Sequence, residues 1–103
     1  MSKLIVQISA AAERYIAKLS AKDKARVMAD IKTMADGDIP LVHTKQLKGR
    51  IRELISGPHR ITYFSINQFL WFVRGFRKTT GKTPKGEIEY AEEAFNAIKQ
   101  KIK

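Results

Sequence analysis

Four cationic side chains, Arg60, Arg74, Arg77 and Lys78, fall in or at the end of two consecutive segments rich in β-forming residues. Two groups able to move a proton, His59 and Tyr63, lie in the first of them. Guanidinium and ammonium groups held on a rigid support stabilise negative charge gathering on a phosphate. Histidine titrates near neutral pH and is the commonest general acid or base. Between His43 and Gly86 the chain has ten Lys or Arg and one acid, Glu53, a net of +9; the segment before carries +2 and the segment after −1. Such a surface suits a polyanion, and nucleic acid fits it best.

Each residue also has a plainer reading. Arg60 is either a solvent-facing strand arginine or a phosphate contact. Arg74 interrupts the chain's most apolar run, Phe69 to Val73, where a buried unpaired charge would be costly. It must therefore reach solvent, pair with an acid such as Glu53, or await an anion. Neighbouring strand residues point to opposite faces, so regular alternation places Lys78 with Leu70, Phe72, Arg74 and Phe76, and Arg77 with Phe69, Trp71, Val73 and Gly75. Lys48 and Arg50 flank Gly49 and are either phosphate contacts or a solvated loop. Lys45, Lys82 and Lys85 read as an electrostatic rim. His43 and His59 read as surface residues, with a site role open to His59. Tyr63 alternates with Ile61 and reads as half-buried packing, with a proton-transfer role also open. Trp71 and the phenylalanines around it read as core.

The elements that must position these groups follow from patterning. Lys3 to Ile8 reads as a strand with Leu4, Val6 and Ile8 on one face. Ser9 caps a helix over Ala10 to Leu19 that carries Ala12, Tyr15, Ile16 and Leu19 inward. Ser20 caps a second helix, with Asp23 in the capping-box position. Val27, Met28, Ile31, Met34 and Ala35 form its core stripe, and Gly37 stops it. Asp36 to Gly49 reads as a loop. Ile51 to Ile55, His59 to Ile66 and Phe69 to Phe76 read as a meander of strands, turned at Ser56-Gly57-Pro58 and Asn67-Gln68. The last strand is apolar on both faces, as a strand covered on both sides should be. Thr83 caps a final helix with Pro84 at its first position; Ile88, Ala91, Phe95, Ile98 and Ile102 face inward. Glu87 and Glu89 at its start and Lys99, Lys101 and Lys103 at its end suit the helix dipole. The order is β-α-α-β-β-β-α, an α+β domain spanning residues 1–103.

Composition narrows the classes further. At 103 residues with 44% apolar content the chain builds one small core. No apolar run approaches the roughly 20 residues of a membrane span, so no membrane partner is expected. No signal peptide is evident. The absence of cysteine excludes disulfides and thiolate metal sites and suits a cytoplasmic protein. Two histidines and scattered acids show no metal-ligand spacing, so neither metal nor cofactor is expected.

Two motifs and the order of elements resemble the RelE/ParE superfamily of toxin–antitoxin toxins, nearest its phage-derived HigB-like branch. The first is Gly75 to Pro84, GFRKTTGKTP, leading into the helix that begins KGEIEYA at Lys85. The second is Leu47-Lys48-Gly49, then Arg52-Glu53-Leu54, then Arg60-Ile61-Thr62-Tyr63-Phe64. The resemblance implies a small RelE-like fold and a type II toxin. That toxin would be either a ribosome-dependent mRNA endoribonuclease or, as in the ParE-like branch, a DNA gyrase inhibitor; a non-catalytic nucleic-acid-binding module is a third class. The nuclease reading implies metal-free cleavage through the RNA 2′-hydroxyl, giving a 2′,3′-cyclic phosphate and a 5′-hydroxyl. Arg60 and Arg74 would then stabilise phosphate charge, Arg77 or Lys78 would serve the leaving or non-bridging oxygen, and His59 and Tyr63 would move protons. Lys45, Lys48, Arg50, Arg52 and Lys82 would bind RNA. The implied partners are messenger RNA on the ribosome and a cognate antitoxin, in this branch a helix-turn-helix protein. In one place the sequence departs from the family: Ile55 stands where Arg commonly follows Glu-Leu. Either Arg52 or Arg50 substitutes for it, or activity is weakened.

Overall fold

A computed structural model describes residues 3–79 and 81–101. Thr80, Ile102 and Lys103, which the sequence assigns to a loop and to the end of the last helix, lie outside the described residues. The elements are β1 (Ile5–Ile8), α1 (Ala10–Ala17), α2 (Ala21–Ala35), a 3-10 turn at Ile39–Leu41, β2 (Thr44–Lys48), β3 (Ile51–Ser56), β4 (His59–Ile66), β5 (Phe69–Arg77) and α3 (Lys85–Lys101).

The serine caps act as their positions predict. Ser9 Oγ accepts from the Ala12 amide and Ser20 Oγ from the Asp23 amide, each at 3.2 Å. Asp23 does not complete a capping box, because its carboxylate is engaged by His59 instead. Pro84 precedes the last helix rather than opening it: its carbonyl accepts from the Glu87 and Ile88 amides. The Thr83 hydroxyl does not cap that helix either; it donates to Glu53 Oε1 at 2.8 Å. In α2, Val27, Ile31 and Met34 are buried, while Met28 turns outward and is 42% exposed.

The five strands form one mixed sheet in the order β1-β5-β4-β3-β2. Strands β2 to β5 are an antiparallel meander, and β1 joins β5 in parallel. The loop expected over Asp36–Gly49 thus contains an additional strand, β2, paired with β3. Two cores flank the sheet. On one face, α1 and α2 cover Leu54, Ile61, Tyr63, Leu70 and Phe72; on the other, α3 covers Ile51, Phe64 and Val73. Strand β5 is therefore interior and apolar on both faces, as its composition predicts. Among the described residues no helix is long and apolar enough to cross a membrane.

One irregularity decides where the cations go. The β4–β5 register pairs Thr62 with Arg74 but Tyr63 with Phe72, so Val73 is an extra, bulged residue. The bulge is held from both sides. Ser9 Oγ donates to the Val73 carbonyl, and Thr62 Oγ1 donates to the Arg74 carbonyl at 3.3 Å. Beyond the bulge the alternation is reversed relative to a regular strand. Arg74 does not share the face of Leu70 and Phe72; it lies opposite Thr62 on the α3 face. Gly75 and Arg77, opposite Ile61 and His59, fall on the α1 face.

Candidate nucleic-acid interface

Strand β1 ends at Ile8, paired with Phe72. From the bulge onward β5 therefore has an open edge, with α1 above and the start of α3 below. A cleft of about 380 Å³ opens there, lined by Ala11, Arg14, Tyr15, Lys18, Arg74, Gly75 and Tyr90. Three of its linings are cations, and two are tyrosines with π-faces a base can stack on. Gly75 makes the floor. A Cβ built on it would stand 2.4 Å from Tyr15 Cδ2, so only glycine lets the Tyr15 ring lie across the strand.

Arg74 reaches the α3 side of this cleft. Its Nε is 3.2 Å from Glu87 Oε1, and its guanidinium stands 4.8 Å from the centroid of the Tyr90 ring. The side chain is 45% exposed, so an anion can still reach it. Its acid is Glu87, not Glu53 as the sequence reading allowed.

Glu53 is fully buried on the α3 face between Thr83 and Arg60. Arg60 Nε stands 4.0 Å from Glu53 Oε2, and neither atom has a hydrogen-bond partner among the described residues. The Arg60 Nη1 donates to the carbonyls of Gly57, at 2.7 Å, and His59, at 3.1 Å. With 12% of its side chain exposed, Arg60 braces the β3–β4 turn rather than projecting into the cleft.

On the α1 face His59 is 5% exposed, contrary to the surface position read from sequence. Its Nδ1 lies 2.7 Å from the Tyr15 hydroxyl and its Nε2 3.0 Å from Asp23 Oδ2. Arg77 is its cross-strand partner. Burial pushes the Tyr15 hydroxyl's pKa up, opposed by the charge of Arg77. The hydrogen bond from His59 holds the Asp23 carboxyl below its ordinary range.

The other expected site residues divide. Tyr63 is fully packed, 2% exposed, and its hydroxyl accepts from Arg52 Nε at 3.2 Å. Arg52 also donates to Thr44 Oγ1. Both lie on the α1–α2 face of the sheet over β3 and β4, and neither lines the cleft. Ile55 alternates with Glu53 onto the α3 face opposite Arg60. Arg52, on the other face, cannot stand in for an arginine at that position, and Arg50 is at the far end of the strand. Lys48 and Arg50 border a separate hollow with Glu92 and Phe95 near the middle of α3, and Lys48 Nζ pairs with Glu92 at 3.3 Å. Lys45 and Lys82 are exposed, and the Lys78 amide donates to the Pro58 carbonyl. Sequence reasoning missed Arg14, Lys18 and Tyr90. Two like charges four apart on α1 were the available signal, because they repel without a shared ligand.

Among the described residues no cluster of three or more His, Asp or Glu side chains is placed to hold a metal ion. No curated protein matches the sequence. Solved structures that share the fold include two complexes. One is the archaeal RelE–RelB complex from Pyrococcus horikoshii OT3, with a TM-score of 0.67 and 13% identity, covering 78% of this chain and 100% of the matched one. The other is the toxin–antitoxin complex RelBE2 from Mycobacterium tuberculosis, with a TM-score of 0.53 and 22% identity, covering 78% and 97%. The family model of the phage-derived Gp49-like proteins (DUF891) matches residues 14–96, from the first cation of the cleft through most of α3. The chain belongs to this Gp49-like family and carries a RelE-like fold.

Proposed function

We propose that the protein is the toxin of a type II toxin–antitoxin pair and that it cuts messenger RNA on the ribosome. The observation that carries this reading is the cleft at the open edge of β5. Cations from a helix and a strand converge there beside two tyrosines, at the point where a phosphate and its flanking base would enter. The family and the toxin–antitoxin complexes that share the fold support the coarser part of the reading.

RNA carries its own nucleophile, the 2′-hydroxyl. Cleavage needs that oxygen placed in line with the next phosphate, and it needs the growing charge on the phosphoryl oxygens stabilised. Arg74 and Arg77 supply that charge from either side of the β5 edge. Arg14 and Lys18 bind the flanking backbone, and Tyr90 offers a stacking face. Arg60 and Glu53 act from beneath by fixing the β3–β4 turn and, through Thr83, the start of α3. The products are a 2′,3′-cyclic phosphate and a 5′-hydroxyl, formed without a metal ion. The reaction takes place in the cytoplasm. A cognate antitoxin, a helix-turn-helix DNA-binding protein, holds the activity in check.

Brief induction followed by primer extension on cellular messages tests the reading. Discrete in-frame cuts within translated regions are expected, together with sedimentation of the protein with ribosomes. Intact messages accompanied by relaxed DNA supercoiling would overturn it in favour of gyrase inhibition. Co-expression with the neighbouring open reading frame is expected to restore growth and yield a stable complex.

A further inference from the structure

The geometry points to Tyr15 as the group that takes the proton from the attacking 2′-hydroxyl, with His59 and Asp23 behind it as positioning residues; this inference rests on the nuclease reading above. The three side chains come from different elements, α1, β4 and α2, and form one continuous chain from the cleft to the surface. Tyr15 lines the cleft. Its hydroxyl is 2.7 Å from His59 Nδ1, and His59 Nε2 is 3.0 Å from Asp23 Oδ2. The carboxylate fixes the tautomer. With Asp23 accepting from Nε2–H, the neutral imidazole presents Nδ1 as an acceptor, so Tyr15 donates to it. This is the arrangement of a reacting hydroxyl, a base and a group that orients the base.

The rest of the neighbourhood fits that task. Burial disfavours the Tyr15 phenolate, so the hydroxyl does not ionise alone and needs an acceptor at the moment of transfer; Arg77 opposes that burial and favours the developing negative oxygen. The charged groups facing the relay are Arg77 from β5, Arg14 and Lys18 beside Tyr15 on α1, and Lys22 and Arg26 beside Asp23 on α2. Asp23 is the one anion on the relay, and it is placed to hold the imidazolium. In the reaction the 2′-hydroxyl passes its proton to the Tyr15 oxygen as Tyr15 passes its own to His59 Nδ1. The 2′ oxygen bonds to phosphorus, the bond from phosphorus to the 5′ oxygen breaks, and the departing oxygen takes a proton from water. His59 then releases its extra proton to solvent, and the relay is restored.

The test is single-turnover cleavage of a message in a programmed ribosome complex, followed from pH 5.5 to 9, with the Tm of each variant measured alongside. Because only a neutral imidazole can accept a proton, the wild-type rate is expected to be higher at the alkaline end of this range than at the acid end. Tyr15→Phe keeps the ring over Gly75; it is expected to lower the rate at least about 10²-fold and remove that rise. Asp23→Asn removes the anion that favours the imidazolium, so the rise shifts to lower pH and the plateau falls; a merely structural role would not move the profile. Tyr15→Phe that cleaves within about threefold of wild type with the same profile, while Arg74→Ala does not cleave, would overturn the relay and leave the nuclease reading intact. Wild-type protein that leaves the message whole at every pH removes the nuclease reading, and the relay with it.

Discussion

The two ends of the sheet carry cations in different ways. At the end where β5 closes, Arg74 and Arg77 project from a strand whose backbone is paired to β4 and whose bulge is bonded on both sides. At the other end, Lys48 and Arg50 flank Gly49 in the β2–β3 turn, where Gly49 takes a positive φ of 54°. Lys48 is 67% exposed and already paired with a surface acid. Both ends contribute to the same net charge, but only one has its charges fixed before a ligand arrives. Preorganised charge costs no reorganisation when a transition state forms, whereas a flexible surface lysine loses side-chain entropy on binding. On the proposed function, the comparison separates a catalytic end from a steering end of the cationic surface.

The largest effect that can break this division is at Arg74. Arg74→Ala is expected to lower cleavage by about 10²–10³-fold, the usual loss when a preorganised charge is removed. Lys82→Ala, in the exposed loop, is expected to lower it only a few fold. Equal losses at the two positions, with melting temperatures unchanged, would mean that charge acts only in bulk. Thermal melting matters here because the Arg74 guanidinium also lies over the Tyr90 ring and pairs with Glu87, contacts that tie β5 to α3.

A second prediction concerns the floor of the cleft. Gly75→Ala places a methyl group where Tyr15 Cδ2 lies 2.4 Å away and Tyr15 Cβ 3.0 Å away. The ring or the helix must give way, costing about 1–3 kcal/mol of stability, as overpacking does elsewhere. Because Tyr15 is displaced, cleavage is expected to fall further than Tm alone accounts for. A fully stable and fully active Gly75→Ala protein would show that the fit of Tyr15 to β5 is unimportant.

The sequence disclosed the parts of this design that recur with a period. The helix stripes, the two serine caps and the apolar β5 follow from spacing and residue type, and so does the net charge of the His43–Gly86 region. Strand β2, Thr44-Lys45-Gln46-Leu47-Lys48, was illegible because it is a polar edge strand with a single large apolar residue between two glycine-containing turns. The face of Arg74 was illegible because one bulged residue reverses the alternation without changing composition. Arg52 and Tyr63 meet each other across β3 and β4, with Tyr63 buried in the core and neither lining the cleft, a contact that residue types alone do not disclose. His59 looked like a surface residue because both its partners are far along the chain, Tyr15 by 44 positions and Asp23 by 36. Local patterning reports which elements form; it does not report which side chains meet across them.

The smallest expected effect tests the steering end. Lys48→Ala removes an exposed cation whose pair with Glu92 is worth only about 0–1 kcal/mol, so stability should hardly change. Cleavage of bound message should stay within about threefold of wild type, because Lys48 is far from the β5 edge and restrains no strand-borne charge. The association rate with ribosomes should fall modestly at low salt, and the difference from wild type should vanish as salt rises, since exposed charges are screened beyond about 10 Å at 0.1 M. Glu92→Gln is the complementary change: it frees Lys48 and should speed association at low salt. A tenfold or greater loss of single-turnover cleavage from Lys48→Ala, unaltered by salt, would place a reacting phosphate at the β2–β3 turn. The two ends of the sheet would then be parts of one catalytic groove running the length of α3.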